Sequence, residues 1–150
     1  MTGPRKSATA SRQRGSTLIE FSIVSLLLFT VVFATIEFNR MLLIYTAVAN
    51  AARAGARYAI VHGNSRSGTG VDGASGPGST SQVVTVVQTY AGASPLNPSR
   101  LTINVTYPNS SNAPGSLVRV AVSYAYDPFT WSTLPLAVNL GSQSQGIIEY

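Results

Sequence analysis

FSIVSLLLFTVVFATI, Phe21–Ile36, runs sixteen residues without a charge and is closed at its two ends by Glu20 and Glu37. As a helix it spans roughly 24 Å at about 1.5 Å per residue, a little short of a ~30 Å hydrocarbon core. Adding Ser16–Ile19 closes the gap, but places Glu20 inside or at the edge of the membrane. The β-branched residues Ile23, Val24, Val31, Val32 and Thr35 also suit a buried strand. Length and unbroken apolarity favour a membrane helix. A chain of 150 residues then has room for that helix and one modest folded domain.

Upstream lies a basic leader. Residues 1–15 hold Arg5, Lys6, Arg12 and Arg14 and no acid, whereas residues 16–150 set six arginines against five acids. Of the formal charge of +5, +4 therefore belongs to the leader, where it follows the positive-inside bias and holds that end in the cytoplasm. Residues 1–14 lack apolar periodicity and read as disordered. Glu20 follows Gly15 by five residues, and a carboxylate entering lipid is costly unless it finds a partner. Two other readings of this region stay open. Thr17-Leu18-Ile19-Glu20 fits the S/T-x-x-E capping box, which makes Glu20 a local device. Val32-Phe33-Ala34 fits conventional signal cleavage, releasing a chain that starts at Thr35. That cut would leave Met41–Ile60 with a broad unsupported apolar surface.

Downstream, nothing stops the helix at Glu37. Glu37 and Arg40 are three apart and pair across one turn. Thr46, Asn50, Arg53 and Arg57 form one polar stripe, leaving Leu43, Val48, Ala52, Ala56 and Tyr58 for burial. A helix over Ser16–Ile60 extends roughly 67 Å, and His62-Gly63-Asn64 supplies its stop. Residues 63–80 read as a flexible Gly/Ser loop. Ser81–Ala91 reads as a second helix with Ser/Thr cap candidates, although four valines keep a strand open. Leu101–Tyr107 and Leu117–Tyr126 alternate apolar and polar residues around a 108–115 hairpin loop, and Ala137–Tyr150 does so more weakly. Phe129 and Trp131 lie in the connection, as a contact patch or as cover for the sheet. The fold class is α+β: a long N-terminal transmembrane and amphipathic helix, a short second helix and a three-stranded antiparallel meander.

Chemistry has little to draw on. Without cysteine there are no disulfides, thiolate nucleophiles or cysteine metal sites, and His62 is the one histidine. It reads as a helix-end residue near the negative end of the dipole. Asp72-Gly73 lacks the further carboxylates a calcium site needs. No nucleophile has a base at plausible reach, so no catalytic residues, metal or cofactor are expected and the chain is expected not to be an enzyme. With the leader set aside, one surplus positive charge gives no footprint for nucleic acid. Arg53 and Arg57 suit acidic partners or lipid headgroups, or simply form the solvated stripe. Gly55 among alanines permits close backbone approach.

The run from Arg12 to Phe21 resembles the processing site of type IV prepilins and pseudopilins. The resemblance implies a membrane-embedded prepilin peptidase cutting between Gly15 and Ser16, and Glu20 helping to dock the subunit in a helical pilus. Ile36-Glu37-Phe38-Asn39-Arg40 and Ala49-Asn50-Ala51-Ala52-Arg53-Ala54-Gly55-Ala56-Arg57-Tyr58-Ala59 are similar to the TadE-like family, minor pseudopilins of the tight-adherence (Tad/Flp, type IVc) system. Asn50, Arg53, Gly55, Arg57 and Tyr58 are the residues of that pattern. The clear likeness covers residues 12–62. Two departures are visible: Val24-Ser25-Leu26 lacks the proline relatives often carry, and Ser16 stands where many type IV pilins have phenylalanine.

The resemblance implies a pilin-like plan. Residues 1–15 are a removed leader, 16–38 the transmembrane helix, 39–62 its extracytoplasmic continuation, 63–80 the loop and 81–150 a small α/β domain. It also implies a single-pass protein of the bacterial cytoplasmic membrane, N-terminus inside, or one that passes from there into the pilus. Its partners would be the peptidase, other pilins or pseudopilins, the inner-membrane assembly platform and membrane lipid. A signal-anchored or secreted β-rich binding module is the alternative from another class.

Overall fold

The computed structural model describes residues 9–129 and 138–149. It divides into two units, Met1–Phe38 and Asn39–Tyr150. The elements in chain order are helix α1 (Thr9–Val61), a 3-10 turn (Gly70–Asp72), helix α2 (Ser81–Gly92), a second 3-10 turn (Pro98–Arg100) and strands β1 (Leu101–Thr106), β2 (Leu117–Tyr126) and β3 (Val138–Ile147). The α+β architecture expected from the sequence is therefore the observed one. Its strands form one antiparallel sheet in the order β1-β2-β3.

In the first unit α1 is apolar all round. Leu18, Ile19, Phe21, Leu26, Phe29, Val31 and Phe38 are among the side chains left exposed. Such a surface is untenable in water and suits lipid or neighbouring apolar helices. The helix contains a stretch long and apolar enough to cross a membrane, with none of that stretch buried. Three of its hydroxyls are satisfied within the helix. Ser22, Thr30 and Thr35 each donate to the carbonyl four residues back, on Leu18, Leu26 and Val31, at 2.7–2.8 Å. A donor that finds its acceptor on its own helix adds little to the cost of entering hydrocarbon.

The helix starts earlier than the sequence reading expects. Residues 9–14, read as part of a disordered leader, are its first turns. Thr9-Ala10-Ser11-Arg12-Gln13-Arg14 contains no proline or glycine, and Gly15 itself costs only about 1 kcal/mol within a helix. One consequence concerns the capping box. Thr17 lies well inside the uncut helix, so it is not an N-cap there.

In the second unit the core follows from periodicity. Ile44, Ala47, Val48, Ala51, Ala52, Gly55, Ala56 and Ala59 repeat at alternating three- and one-residue steps, one stripe of α1, and all are buried. Val83, Val87 and Ala91 form the matching stripe of α2. Val118, Val120, Val122, Tyr124 and Tyr126 are the buried face of β2. Register lines them up with β1: Leu101 faces Tyr124, Ile103 faces Val122 and Val105 faces Val120. Each fully buried valine contributes about 1.5–3 kcal/mol.

Gly55 sits where these layers meet. A Cβ there would lie 2.5 Å from Val87 Cγ2, 3.2 Å from Val120 Cγ1 and 3.6 Å from Val83 Cγ1. The close approach anticipated for this glycine thus involves a second helix and the sheet at once. β3 shows the same economy. Its weak periodicity has a physical cause at Gly146, where a Cβ would collide with Ile60 Cδ1. The chain end is then tied down, Glu149 N–H donating to the Ile60 carbonyl at 3.0 Å and Ile148 N–H to Ser116 at 2.9 Å.

Four expectations need correction. Leu43, offered for burial, is 53% exposed, because it falls outside the Ile44–Ala47–Val48 stripe. Met41–Ile60 does not depend on residues upstream of it for cover: its apolar face is buried within the second unit. A cut after Ala34 would therefore not strip it, and that objection to the secreted reading falls. Residues 63–80, read as a flexible loop, are pinned by a fully buried serine, Ser75. Finally, Thr80 occupies the N-cap of α2 without a side-chain cap bond. Phe129 is 81% exposed, whereas Trp131 lies outside the described residues.

Candidate functional site

Three regions hold the residues singled out from the sequence. The first is the Gly15–Glu20 stretch of α1. Gly15, Ser16 and Glu20 are all exposed on α1, and a Cβ at Gly15 would meet nothing within 4 Å. Glu20 has no ion-pair partner among the described residues, and its neighbours Leu18, Ile19, Phe21, Ile23 and Val24 are all exposed apolar side chains. A lone carboxylate on such a surface either stays at the headgroups or meets a cation from outside the chain.

Glu37 lies in the first unit, which ends at Phe38, and Arg40 belongs to the second. Arg40 has further contacts inside the second unit. Its guanidinium carbon lies 5.4 Å from the centroid of the Tyr126 ring, and Nη1 is 3.5 Å from the Asp127 carbonyl oxygen. The Asp127 carboxylate holds Arg100 at 3.2 Å. Neither Asp127 nor Arg100 was marked by the sequence. Their separation of twenty-seven residues hides the pair, which exists only because β1 and β2 lie side by side.

The third region is the Asn50–Tyr58 run, and the structure splits it among separate tasks. Arg53 Nη1 donates to Asn50 Oδ1 at 2.9 Å on the exposed face. Arg57 is exposed on the same face, one turn on. Together with Ala54 and Tyr90 of α2 these residues line a shallow groove of about 280 Å³. Gly55 points the opposite way, into the core. Tyr58 stacks on His62 with ring centroids 3.8 Å apart and planes 14° off parallel. The run therefore gathers Asn50, Arg53 and Arg57, but not Gly55 or Tyr58.

A buried polar network at the end of α1 escaped the sequence reading. His62 Nδ1 is 2.8 Å from the Tyr58 carbonyl, extending the helix by one side-chain bond. The His62 carbonyl accepts from Ser75 N at 2.7 Å and from Ser75 Oγ at 3.2 Å. Tyr107 Oη donates to Ser75 Oγ at 3.1 Å, and Asn112 Nδ2 donates to the Ser75 carbonyl at 3.0 Å. One serine thus joins the helix end, the loop, the first strand's end and the hairpin. Nothing in a Gly/Ser run distinguishes Ser75 from its neighbours.

Burial pushes the Tyr107 phenol above its ordinary pKa of 10.0, and the Ser75 hydroxyl pulls it back in part. Tyr58 moves the same way, by burial first and then by the negative charge of Asp72. A raised phenol is stabilising below the unfolded value and loses that contribution as pH climbs through the folded one. The folded unit is therefore expected to weaken above about pH 10, the ordinary tyrosine range. Tyr107→Phe is expected to reduce that alkaline slope at a neutral-pH cost of about 1 kcal/mol. Denaturant midpoints at pH 7, 9.5 and 10.5 check both statements.

Among the described residues no group of three His, Asp or Glu side chains is placed to hold a metal. No curated protein and no solved structure matches the chain. The family model described as TadE-like protein matches residues 15–57, from the glycine before Ser16 through the Asn50–Arg57 run, and over that segment the chain is similar to that family.

Proposed function

We propose that this chain is a minor pseudopilin that takes part in assembly of a Tad/Flp adhesion pilus. It is made with a basic leader, and a prepilin peptidase removes residues 1–15 at the cytoplasmic face. The mature protein stays in the cytoplasmic membrane by residues 16–38, with the Asn39–Tyr150 unit outside. The match of residues 15–57 to that family supports a place in the Tad pilus system. The observation that carries the finer reading is Glu20, a carboxylate with no ion-pair partner among the described residues, set among exposed apolar side chains five residues after Gly15. After cleavage the new Ser16 ammonium lies one helical turn from it. That cation, or the one on an adjacent subunit, offsets the carboxylate in lipid. Glu37 and Arg40 pair where the span ends. The other partners are pilins or pseudopilins, the assembly platform and lipid.

Gly15→Leu tests the processing step. It leaves the fold intact, since the position is open on all sides. The processed fraction is expected to fall at least about tenfold, equivalent to about 1.4 kcal/mol on the transition state. Immunoblots of membrane fractions separate precursor from mature chain, and undiminished processing would remove the peptidase from the account.

A further inference from the structure

The two edges of the sheet are built differently. β1, at one edge, is six residues long and begins directly after the Pro98–Arg100 turn, and Pro108 follows two residues past its end. Proline has no N–H to donate, so pairing cannot run on past either end. An edge this short and bracketed gives a partner strand little to hold. β3, at the other edge, lacks these guards. It is ten residues long, pairs with β2 from Val138 to Ile147 without a bulge, and contains no proline and no charge. Among the described residues its backbone makes no hydrogen bond beyond that ladder. Alternate N–H and C=O groups therefore line roughly 33 Å of open edge.

The side chains of β3 indicate what would pair there. Leu140, Ser142, Ser144 and Gly146 lie opposite Tyr124, Val122, Val120 and Val118, on the core side of the sheet. Gln143 and Gln145 are exposed on the other side. A neutral strand opposes no like charges when it meets its own sequence, and a two-fold axis matches it antiparallel to itself. Joining two sheets through β3 leaves only the guarded β1 at each outer edge, so such an association closes at two copies.

We propose that β3 is an interaction surface whose partner is β3 of a second copy of this chain, paired antiparallel about Gln143. In that register Gln143 meets Gln143, whose side-chain amides each donate and accept. Leu140 meets Gly146, which Ile60 of its own chain already covers, so apolar carbon is added to apolar carbon. The two folded units then share one six-stranded sheet.

The chain contains no cysteine, so a single introduced thiol reports the contact without background. Residues directly opposite in an antiparallel pair have Cα atoms about 4.5–5.5 Å apart, within disulfide reach. The test uses the full chain, purified in mild detergent and oxidised. Gln143→Cys is expected to give at least about fivefold more disulfide dimer than Asn104→Cys, exposed on β1. Gln143→Lys or Gln143→Glu alone should lower the dimer fraction seen by native mass spectrometry several-fold, because like charges then stand opposite. An equimolar mixture of the two should restore it, which damage to the fold would not. Equal cross-linking at the two cysteine positions would assign the association to apolar helices sharing a micelle and overturn the pairing. A monomeric wild-type chain, or a mixture no better than either variant, would overturn it as well. The pilus reading is untouched by any of these results.

Discussion

Gly55→Val is expected to cost the folded unit at least about 3 kcal/mol, enough to lower its melting midpoint by roughly 10 °C or more. The added branch has nowhere to go. The first carbon alone would lie 2.5 Å from Val87 Cγ2, and Val87, Val83 and Val120 are fully buried. Two helices and the central strand would have to part together. Gly55→Ala separates the opposing terms, since alanine gains about 1 kcal/mol of helix preference but pays about 1–3 kcal/mol for overpacking. A net loss of about 1 kcal/mol is expected. Gly92→Ala is the control, because a Cβ there meets nothing within 4 Å. Near-UV circular dichroism on heating reads the folded unit apart from the apolar helix, whose tyrosine-free span contributes little to that signal.

Glu20→Ala is expected to leave processing normal and to reduce pilus assembly about a hundredfold. The size follows from charge burial: an unpartnered ion at the membrane centre costs about 2.5–3.5 kcal/mol, and the substitution leaves the Ser16 ammonium unpartnered. Glu20→Gln should behave like alanine, since the amide keeps the shape but not the charge. Glu20→Asp should retain part of the activity. Piliation counted by electron microscopy, beside an immunoblot for the mature chain, keeps assembly separate from cleavage. Unimpaired assembly in the alanine variant would remove the docking role.

The parts of the fold legible in sequence were those written as periodicity. Phe21–Ile36 announces a membrane-length helix, and the alternating β1 and β2 residues announce a sheet, because each pattern repeats over many positions. β3 was faint for a local reason: Ile60 covers Gly146, so an apolar side chain is excluded where alternation would demand one. Gly55 was legible as a close approach, but its partners were not, since they come from α2 and β2. Ser75 was invisible. Its burial depends on the His62 carbonyl, Tyr107 and Asn112, which converge only in three dimensions. The same holds for Arg40, Arg100 and Asp127. The Asn50–Tyr58 run reads as one motif, yet its members face both solvent and core, so a shared pattern did not mean a shared site.

The fold removes one argument and leaves another decisive. Because the apolar face of Met41–Ile60 is buried within its own unit, a chain starting at Thr35 would still fold, and packing does not choose between the cleavage sites. The N-terminus does. Intact mass and N-terminal sequencing of the mature chain, recovered from carbonate-washed membranes of the producing bacterium, test the account most directly. It predicts a chain beginning at Ser16 in the membrane fraction. A chain beginning at Thr35 in the soluble fraction, or an uncut leader in the membrane, would contradict it.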